Sequence, residues 1–157
     1  MEFKALFGNF PKPGKVVWLG IRPDRRIPLI EKIEVNADAA YGLIGDRYSK
    51  PAGARQVTLI QDEHLKSVAS FLGIASVDPQ LTRRNIVVTG INLLALKGKQ
   101  FLIGEALLEY SGDCHPCSRM EENLGVGGYN AMRGLGGITA KVIKSGKIRV
   151  NDLVIAK

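Results

Sequence analysis

The residues best suited to do chemistry are concentrated in one stretch, residues 112–122. This stretch contains both cysteines of the chain, Cys114 and Cys117, with two residues between them, and a glycine-dense run at residues 125–137 follows it. A thiolate is a nucleophile and a ligand for soft metals, so a reactive cysteine is the first function to consider. The sequence indicates that a thiol in this stretch, Cys117 in the first place, does the chemical work.

The Cys-x-x-Cys spacing is compatible with three kinds of site. A structural zinc site has four cysteine or histidine ligands. The chain has only two cysteines and two histidines, and His115 lies between the cysteines, which argues against such a site. A thioredoxin-like pair lies early in a βαβ unit, whereas this pair lies late in a chain rich in predicted strands. The third possibility is a single working cysteine that carries sulfur or binds a soft metal. The alternative to a working cysteine is a small buried residue without chemical consequence. Spacing alone leaves the functional and the structural interpretation close to even.

The immediate neighbours of Cys117 favour a reactive thiol. Pro116 precedes it, and residues 118–122 are predicted to form a helical turn. A position at a helix start favours the thiolate form, and so would His115 and Arg119 if they lie close.

Polar side chains in two other segments are candidates for a binding site. Gly45-Asp46-Arg47 could place a carboxylate and a guanidinium at the mouth of a site, although a plain loop is the simpler interpretation. Arg83-Arg84-Asn85 comes just before a predicted strand, and arginine forks beside an amide suit a phosphate or a pterin-like heterocycle. Adjacent surface arginines are often only solvated, so the sequence leaves this open. His64 is interpreted as a solvated helix residue and not as a ligand.

Composition limits the class of protein. A chain of 157 residues with 45% hydrophobic and 24% charged residues is expected to fold as one globular domain. The net charge of +7 attracts anions, such as a phosphate-bearing cofactor. Scattered basic residues and 6% aromatics argue against nucleic acid as the partner. The sequence shows neither an apolar run long enough to span a membrane nor a signal pattern, so a cytoplasmic location is expected.

The elements that must position these residues are predicted to be mostly short strands. Residues 1–14 are predicted to be a lead-in and residues 15–157 a single β-barrel domain. One helix is predicted at residues 63–71, with Asp62 as its N-cap. A hairpin is predicted around Ser145-Gly146. The strands are predicted at residues 15–21, 28–35, 55–60, 86–90, 101–104, 106–110, 137–143, 147–150 and 153–155.

From residue 14 to residue 154, the order and spacing of these motifs resemble the molybdenum-cofactor sulfurase C-terminal (MOSC) domain. Each motif is weak alone, and their order makes the resemblance specific. The matching positions are Gly45-Asp46, Arg55, Arg84-Asn85 with Gly90, Gly104, Pro116-Cys117, the glycines of residues 125–137, and Gly146 with Asp152.

The resemblance implies a mostly β fold, a closed β-barrel of MOSC type with one or two short helices, with a cleft that holds the family's cysteine. In the family this cysteine accepts sulfur as a persulfide or binds the molybdenum of a molybdopterin-type cofactor. By position it corresponds to Cys117, with Cys114 as the runner-up. The residues implied to bind the cofactor are Asp46, Arg55, Arg84 and Asn85, joined by His115 and Arg119 beside the thiol.

Three functions are therefore expected, in order. The first is a sulfur carrier or cofactor-binding module that serves molybdenum enzymes. The second, which the resemblance suggests for free-standing members, is a molybdenum-dependent reductase of N-hydroxylated compounds. The third is an anion- or RNA-binding barrel. Some family members are fused to a pyridoxal-phosphate desulfurase, for which this chain has no room, so a separate sulfur donor such as a cysteine desulfurase is expected.

Overall fold

The fold is a closed β-barrel with a small accessory sheet and a layer of helices. The computed structural model describes residues 2–51 and 53–157. Alternating apolar and polar residues, interrupted by glycine and proline, favour short strands there. The strands of the described residues are β1 (Gly14–Ile21), β2 (Ile30–Lys32), β3 (Glu34–Asp38), β4 (Gly42–Leu43), β5 (Val57–Gln61), β6 (Ile86–Thr89), β7 (Gln100–Ile103), β8 (Ala106–Asp113), β9 (Ile138–Lys144), β10 (Gly146–Arg149) and β11 (Leu153–Ala156).

Seven of these strands close into the barrel. Their order is β11-β7-β8-β9-β5-β6-β1, and β1 pairs back with β11, with Gly14 opposite Val154. Strand β2 is added to the side of β1. Inward side chains such as Leu19, Leu59 and Phe101 are completely buried and form the barrel core. The predicted mostly β, closed-barrel fold is confirmed.

The helices of the described residues are α1 (Phe3–Leu6), α2 (Asp62–Leu72), α3 (Ser118–Leu124) and α4 (Gly128–Met132). These residues thus contain four α-helices, whereas one or two were predicted. Helix α2 begins one residue earlier than predicted, with Gln61 and not Asp62 at the N-cap position. It connects the parallel pair β5 and β6, as a parallel connection requires. No helix within these residues has the length and apolar character needed to cross a membrane.

A second apolar cluster joins the helices to the outside of the barrel. Ile60 of β5 and Val87 of β6 point outward and pack with Val68 of α2, Met120 of α3 and Met132 of α4. All five side chains are almost completely buried. This packing fixes α3 against the barrel, and α3 begins directly after Cys117.

The predicted hairpin around Ser145-Gly146 is wrong. Strand β9 pairs with β5 and β8, whereas β10 pairs with β3 in a separate three-stranded sheet completed by β4. Only Ser145 separates β9 from β10, which is shorter than the two-residue loop of a tight hairpin. Gly146 instead lies against the Glu105 backbone, where a Cβ atom would stand 2.4 Å from the carbonyl oxygen.

The predicted strand at residues 28–35 is divided into two strands. Strand β2 ends at Lys32 and belongs to the large sheet, whereas β3 begins at Glu34 and belongs to the small one. Ile33, between them, is 83% exposed. The chain changes sheets here, which a continuous strand could not do.

Candidate functional site

A cavity of about 260 Å³ lies beside the cysteine loop, where β8 ends and α3 begins. Six of its lining residues are arginines, and no carboxylate among the described residues is part of the lining. Such a wall attracts anions. The lining residues are Arg22, Arg47, Tyr48, Arg55, Thr58, Arg83, Arg84, Cys114, His115, Cys117, Arg119 and Met120.

The two thiols have different access to solvent. Both are free, but Cys114 is buried and Cys117 is exposed. The backbone N–H of Cys114 donates to the carbonyl of Gly137 at 2.8 Å, which ties this residue to the beginning of β9. The carbonyl of Cys117 accepts from the Met120 N–H at 2.9 Å in the first turn of α3. A reagent or ligand in the cavity therefore reaches the Cys117 thiol.

The buried guanidinium of Arg84 holds the cysteine loop in place. Its Nε donates to the Gly136 carbonyl at 2.8 Å, and its Nη1 donates to the Thr82 carbonyl at 2.9 Å. Its Nη2 donates to the carbonyls of Cys114 at 3.3 Å and His115 at 3.4 Å. These acceptors are all uncharged, so the hydrogen bonds fix the loop without neutralising the positive charge.

Two glycines allow the chain to approach this loop. A Cβ atom on Gly136 would lie 2.1 Å from the Cys114 carbonyl oxygen, and one on Gly137 would lie 1.9 Å from the Leu59 carbonyl oxygen. Gly137 also has a φ of +90°, a conformation that glycine adopts without steric cost. The end of the glycine-dense run thus brings β9 close to both the cysteine loop and β5.

The arginines share one region of positive potential. Burial lowers the pKa of the Arg84 guanidinium below its ordinary value, and the two nearby cysteine thiols act in the opposite direction. Burial also lowers the pKa of Arg83, and the charges of Arg22, Arg119 and Arg47 lower it further. An anion bound among these groups would relieve their mutual repulsion.

A buried polar network positions Arg22 in the cavity wall. Its Nε donates to Oδ1 of Asp46 at 3.1 Å and its Nη2 to Oδ2 at 3.0 Å, a two-point ion pair. Asn85 Oδ1 accepts from Arg22 Nη2 at 2.9 Å, and its Nδ2 donates to Asp46 Oδ1 at 3.0 Å. Asn85 is also joined to Thr58, whose backbone N–H donates to Oδ1 at 3.1 Å.

The structure brings most of the sequence-predicted site residues together. Arg55, Arg84, His115, Arg119 and both cysteines line the cavity. Asp46 and Asn85 do not line it, because their side chains are used in the network around Arg22.

The lining residues that sequence reasoning left out include Arg22 and Tyr48. The Tyr48 ring has the Arg22 Cζ atom 4.7 Å and the Arg47 Cζ atom 4.8 Å from its centroid, which are cation–π distances. Arg22 directly follows the first strand of the barrel, and this position at a strand end is the signal that could have identified it.

The donor set of the cavity suits an anionic ligand with one soft-metal contact. Within residues 2–51 and 53–157, no three histidine, cysteine or acidic side chains converge as a metal-binding group. A metal here would therefore take the Cys117 sulfur from the protein and its other ligands from a cofactor. A cofactor that carries both a soft metal and an anionic phosphate group would fit the thiol and the guanidinium wall.

Comparison with known proteins gives one family. The family model described as "MOSC domain" matches residues 35–155 of this chain. No curated protein sequence matches it.

Several solved structures share the fold. The crystal structure of the YUAD protein from Bacillus subtilis superposes with a TM-score of 0.79 at 20% identity, covering 91% of this chain and 94% of that one. YiiM from Geobacillus stearothermophilus gives 0.72 at 16% identity, covering 92% and 75%. YiiM from Escherichia coli gives 0.71 at 21% identity, covering 94% and 70%. At these identities the likeness concerns the fold alone.

Proposed function

The chain belongs to the MOSC domain family, and from this membership we propose that it binds a molybdopterin-type cofactor with the Cys117 thiolate as the protein's ligand to molybdenum. One observation supports this above the others. The exposed thiol borders a cavity walled by arginines, and no carboxylate of residues 2–51 and 53–157 lines it. Soft thiolate and positive guanidinium groups are the two donor types that such a cofactor needs.

Arg47 and Arg55 are the residues best placed to take the cofactor's phosphate. Neither forms an ion pair within the described part of the chain, and both line the cavity. Their forks are therefore available for bidentate bonds to phosphate oxygens. Arg84 has its N–H groups on backbone carbonyls, so it contributes charge and holds the loop. When bound, the cofactor would supply molybdenum redox chemistry.

The test is metal and cofactor analysis of protein made in a host that synthesises molybdopterin. Molybdenum by mass spectrometry and pterin by fluorescence should both be found in the wild type. Cys117→Ala should lose the molybdenum, whereas the matched variant Cys114→Ala should keep it, because the Cys114 thiol is buried. Circular dichroism checks that each variant is folded. Absence of molybdenum from the wild type, or equal metal in wild type and Cys117→Ala, would contradict the proposal.

A sulfur carrier is the second candidate, and the same exposed thiol favours it. The Cys117 thiolate would attack the outer sulfur of a persulfide on a cysteine desulfurase. A sulfur–sulfur bond then forms at Cys117 and another breaks, so the donor recovers its thiol and no net oxidant is required. The carried sulfur would pass to a molybdenum enzyme.

This candidate is separated from the first by intact mass spectrometry after incubation with a cysteine desulfurase and cysteine. A carrier gains the mass of one sulfur atom, which a reductant removes, and Cys117→Ala gains none. Metal-loaded protein that never accepts sulfur would instead favour a reductase of N-hydroxylated compounds, tested directly with such a substrate and an electron donor.

A further inference from the structure

A second cavity, of about 590 Å³, lies at the end of the barrel away from the cysteine loop. Strands β5 and β6 are parallel, so their carboxyl ends lie together, and the cavity is formed beside them at Gln61 and Gly90. Arg84 of the first cavity precedes β6 and therefore lies at the opposite end of this strand pair. This distal cavity has a volume in the range of about 300–1,000 Å³ that is usual for small-molecule sites.

One wall of the distal cavity is apolar and partly aromatic. Leu6, Phe7 and Phe10 of the N-terminal segment line it, together with Ile91 and Ala95 of the connection between β6 and β7. Phe10 packs against the barrel core, to which Ile91 belongs, and this contact holds the segment on the barrel. The Phe7 side chain, in contrast, is 64% exposed. Apolar surface with two aromatic rings is therefore available to a ligand.

Two opposite charges meet at Gly90 on the polar side of the distal cavity. The Glu63 Oε2 atom accepts from the Gly90 N–H at 2.9 Å. The Lys12 Nζ atom lies 3.0 Å from the position that a Cβ atom on Gly90 would occupy. Lys12 and Glu63 both line the cavity, yet neither forms an ion pair within the described residues. Both charges are therefore close together and available to a ligand.

Glu63 carries its charge at neutral pH. Burial raises the pKa of its carboxyl group, but the hydrogen bonds that the group accepts, led by that from the Gly90 N–H, outweigh burial and lower the pKa below its ordinary value. An ammonium group of a ligand would thus meet a full negative charge beside the positive charge of Lys12, and both contacts would be charge-assisted hydrogen bonds.

We propose that the distal cavity binds an α-amino acid with a large apolar side chain. The ammonium group of the ligand lies on Glu63, its carboxylate on Lys12 and its side chain on the apolar wall. An α-amino acid carries both charges on one carbon atom, which matches two opposite charges that meet at one residue. A ligand with only a carboxylate would be repelled by Glu63, and one with only an amine would be repelled by Lys12.

This inference goes beyond the proposed function, because no described residue lines both cavities. The probes are L-phenylalanine, 3-phenylpropanoate and 2-phenylethylamine, which share one ring and differ in their charged groups. In calorimetry at neutral pH and one ionic strength, L-phenylalanine should bind the wild type about tenfold or more tightly than either analogue. Lys12→Met and Glu63→Gln should each remove this advantage. The matched control is Lys4→Met, an exposed lysine of the same segment outside the cavity, which should behave as wild type.

Ala95→Trp tests where the amino acid binds. Ala95 is exposed, so an indole at this position should fill the cavity and leave the fold intact, which circular dichroism checks. The variant should bind L-phenylalanine about tenfold or more weakly than the wild type.

Equal affinities for the three probes in the wild type, including no binding of any, would overturn the inference. An L-phenylalanine advantage that survives in Lys12→Met or Glu63→Gln would overturn it too, and so would unchanged binding in folded Ala95→Trp. Each of these results is distinct from failure of the proposed function, which is judged by molybdenum and its dependence on Cys117. Lys12→Met should retain molybdenum at the wild-type level.

Discussion

At the scale of residues, the site combines a buried cation with an exposed sulfur. Arg84 reaches four backbone carbonyls, two of them in the cysteine loop, whereas the Cys117 thiol faces solvent. The loop is therefore rigid next to the residue that must remain accessible. Rigid support reduces the entropy lost when a ligand binds.

The difference between the two thiols should be measurable with a thiol-specific reagent. In native protein, Ellman's reagent should titrate one thiol rapidly, and peptide mapping after alkylation should place it at Cys117. Unfolding in guanidinium should expose the second, Cys114. The variant Cys117→Ser should show no rapid thiol. Rapid reaction of both cysteines in native protein would contradict the buried position of Cys114.

The Arg22–Asp46 pair should be important for stability. Asp46→Asn leaves the buried guanidinium without its counter-charge, so we expect the free energy of unfolding to fall by about 3 kcal/mol in urea titrations. The control is Glu109→Gln in the half-exposed Lys141–Glu109 pair at 3.9 Å, where the loss should stay below about 1 kcal/mol. Similar losses in both variants would show that burial of the pair has no special effect.

Sequence reasoning went only part of the way for these residues. It placed Arg55 and Arg84 with the cysteines, and the cavity contains all of them. It also grouped Asp46 and Asn85 as cofactor residues, but the structure places both around Arg22. Contacts between distant segments decide which polar side chains face the cavity and which support a neighbouring residue. Spacing along the chain contains no information on those contacts.

At the scale of elements, the turn between α3 and α4 depends on one side chain. The Glu121 carboxylate accepts from the N–H of Gly127 at 2.9 Å and from the N–H of Tyr129 at 3.0 Å. These hydrogen bonds lower the pKa of Glu121 below its ordinary value of 4.5. Because the pKa is lower in the folded protein, the stabilisation is present above the ordinary pKa and is lost as pH falls through the folded value.

Glu121→Gln should therefore loosen this turn at neutral pH. The amide oxygen can accept only one of the two hydrogen bonds well, so hydrogen exchange at the amides of Gly127 and Tyr129 should become faster. The wild type should lose the same protection, measured against the intrinsic exchange rate at each pH, only in acid, once the carboxylate is protonated. The neighbouring variant Glu122→Gln serves as control and should leave both amides protected. Unchanged exchange in Glu121→Gln would contradict the role given to this carboxylate.

Local patterns predicted the strands better than their partners. The short apolar runs of β1, β7 and β8 identified these strands within a few positions. The Ser145-Gly146 turn signal, in contrast, was overridden because β10 finds its partner in β3, more than one hundred residues earlier. Pairing between distant strands follows from burial of the whole sheet, which a short window of sequence does not contain.

At the scale of the molecule, the barrel depends on the closure of β1 against β11. Val154 lies opposite Gly14 and Ile103 and is completely buried, whereas Leu153 is 51% exposed. Val154→Asp should place a carboxylate in the core and lower the free energy of unfolding by at least about 3 kcal/mol. Leu153→Asp, the matched outward change, should unfold close to wild type. Comparable thermal and urea midpoints for both variants would contradict closure at this seam.

The closed barrel itself was predicted through the resemblance of ordered motifs, and not through any single strand. Composition and turn signals favour a β-rich fold, but many sheets satisfy them. The ordered motif positions from Gly45 to Asp152 reduced the possible β-sheet folds to one architecture. Helices α1 and α4 were missed because each spans five residues or fewer, too short for a helical period to emerge.

The neutral carbonyl partners of Arg83 and Arg84 have a consequence for how ligands arrive. Since these guanidinium charges are not cancelled inside the protein, their field extends out of the cavity into the surrounding water, on a chain that already carries +7. Diffusing anions would be steered toward the cleft before any contact forms. The association rate constant should then be high in dilute buffer and should fall steeply as added salt shortens the Debye length. The dissociation rate constant should change far less.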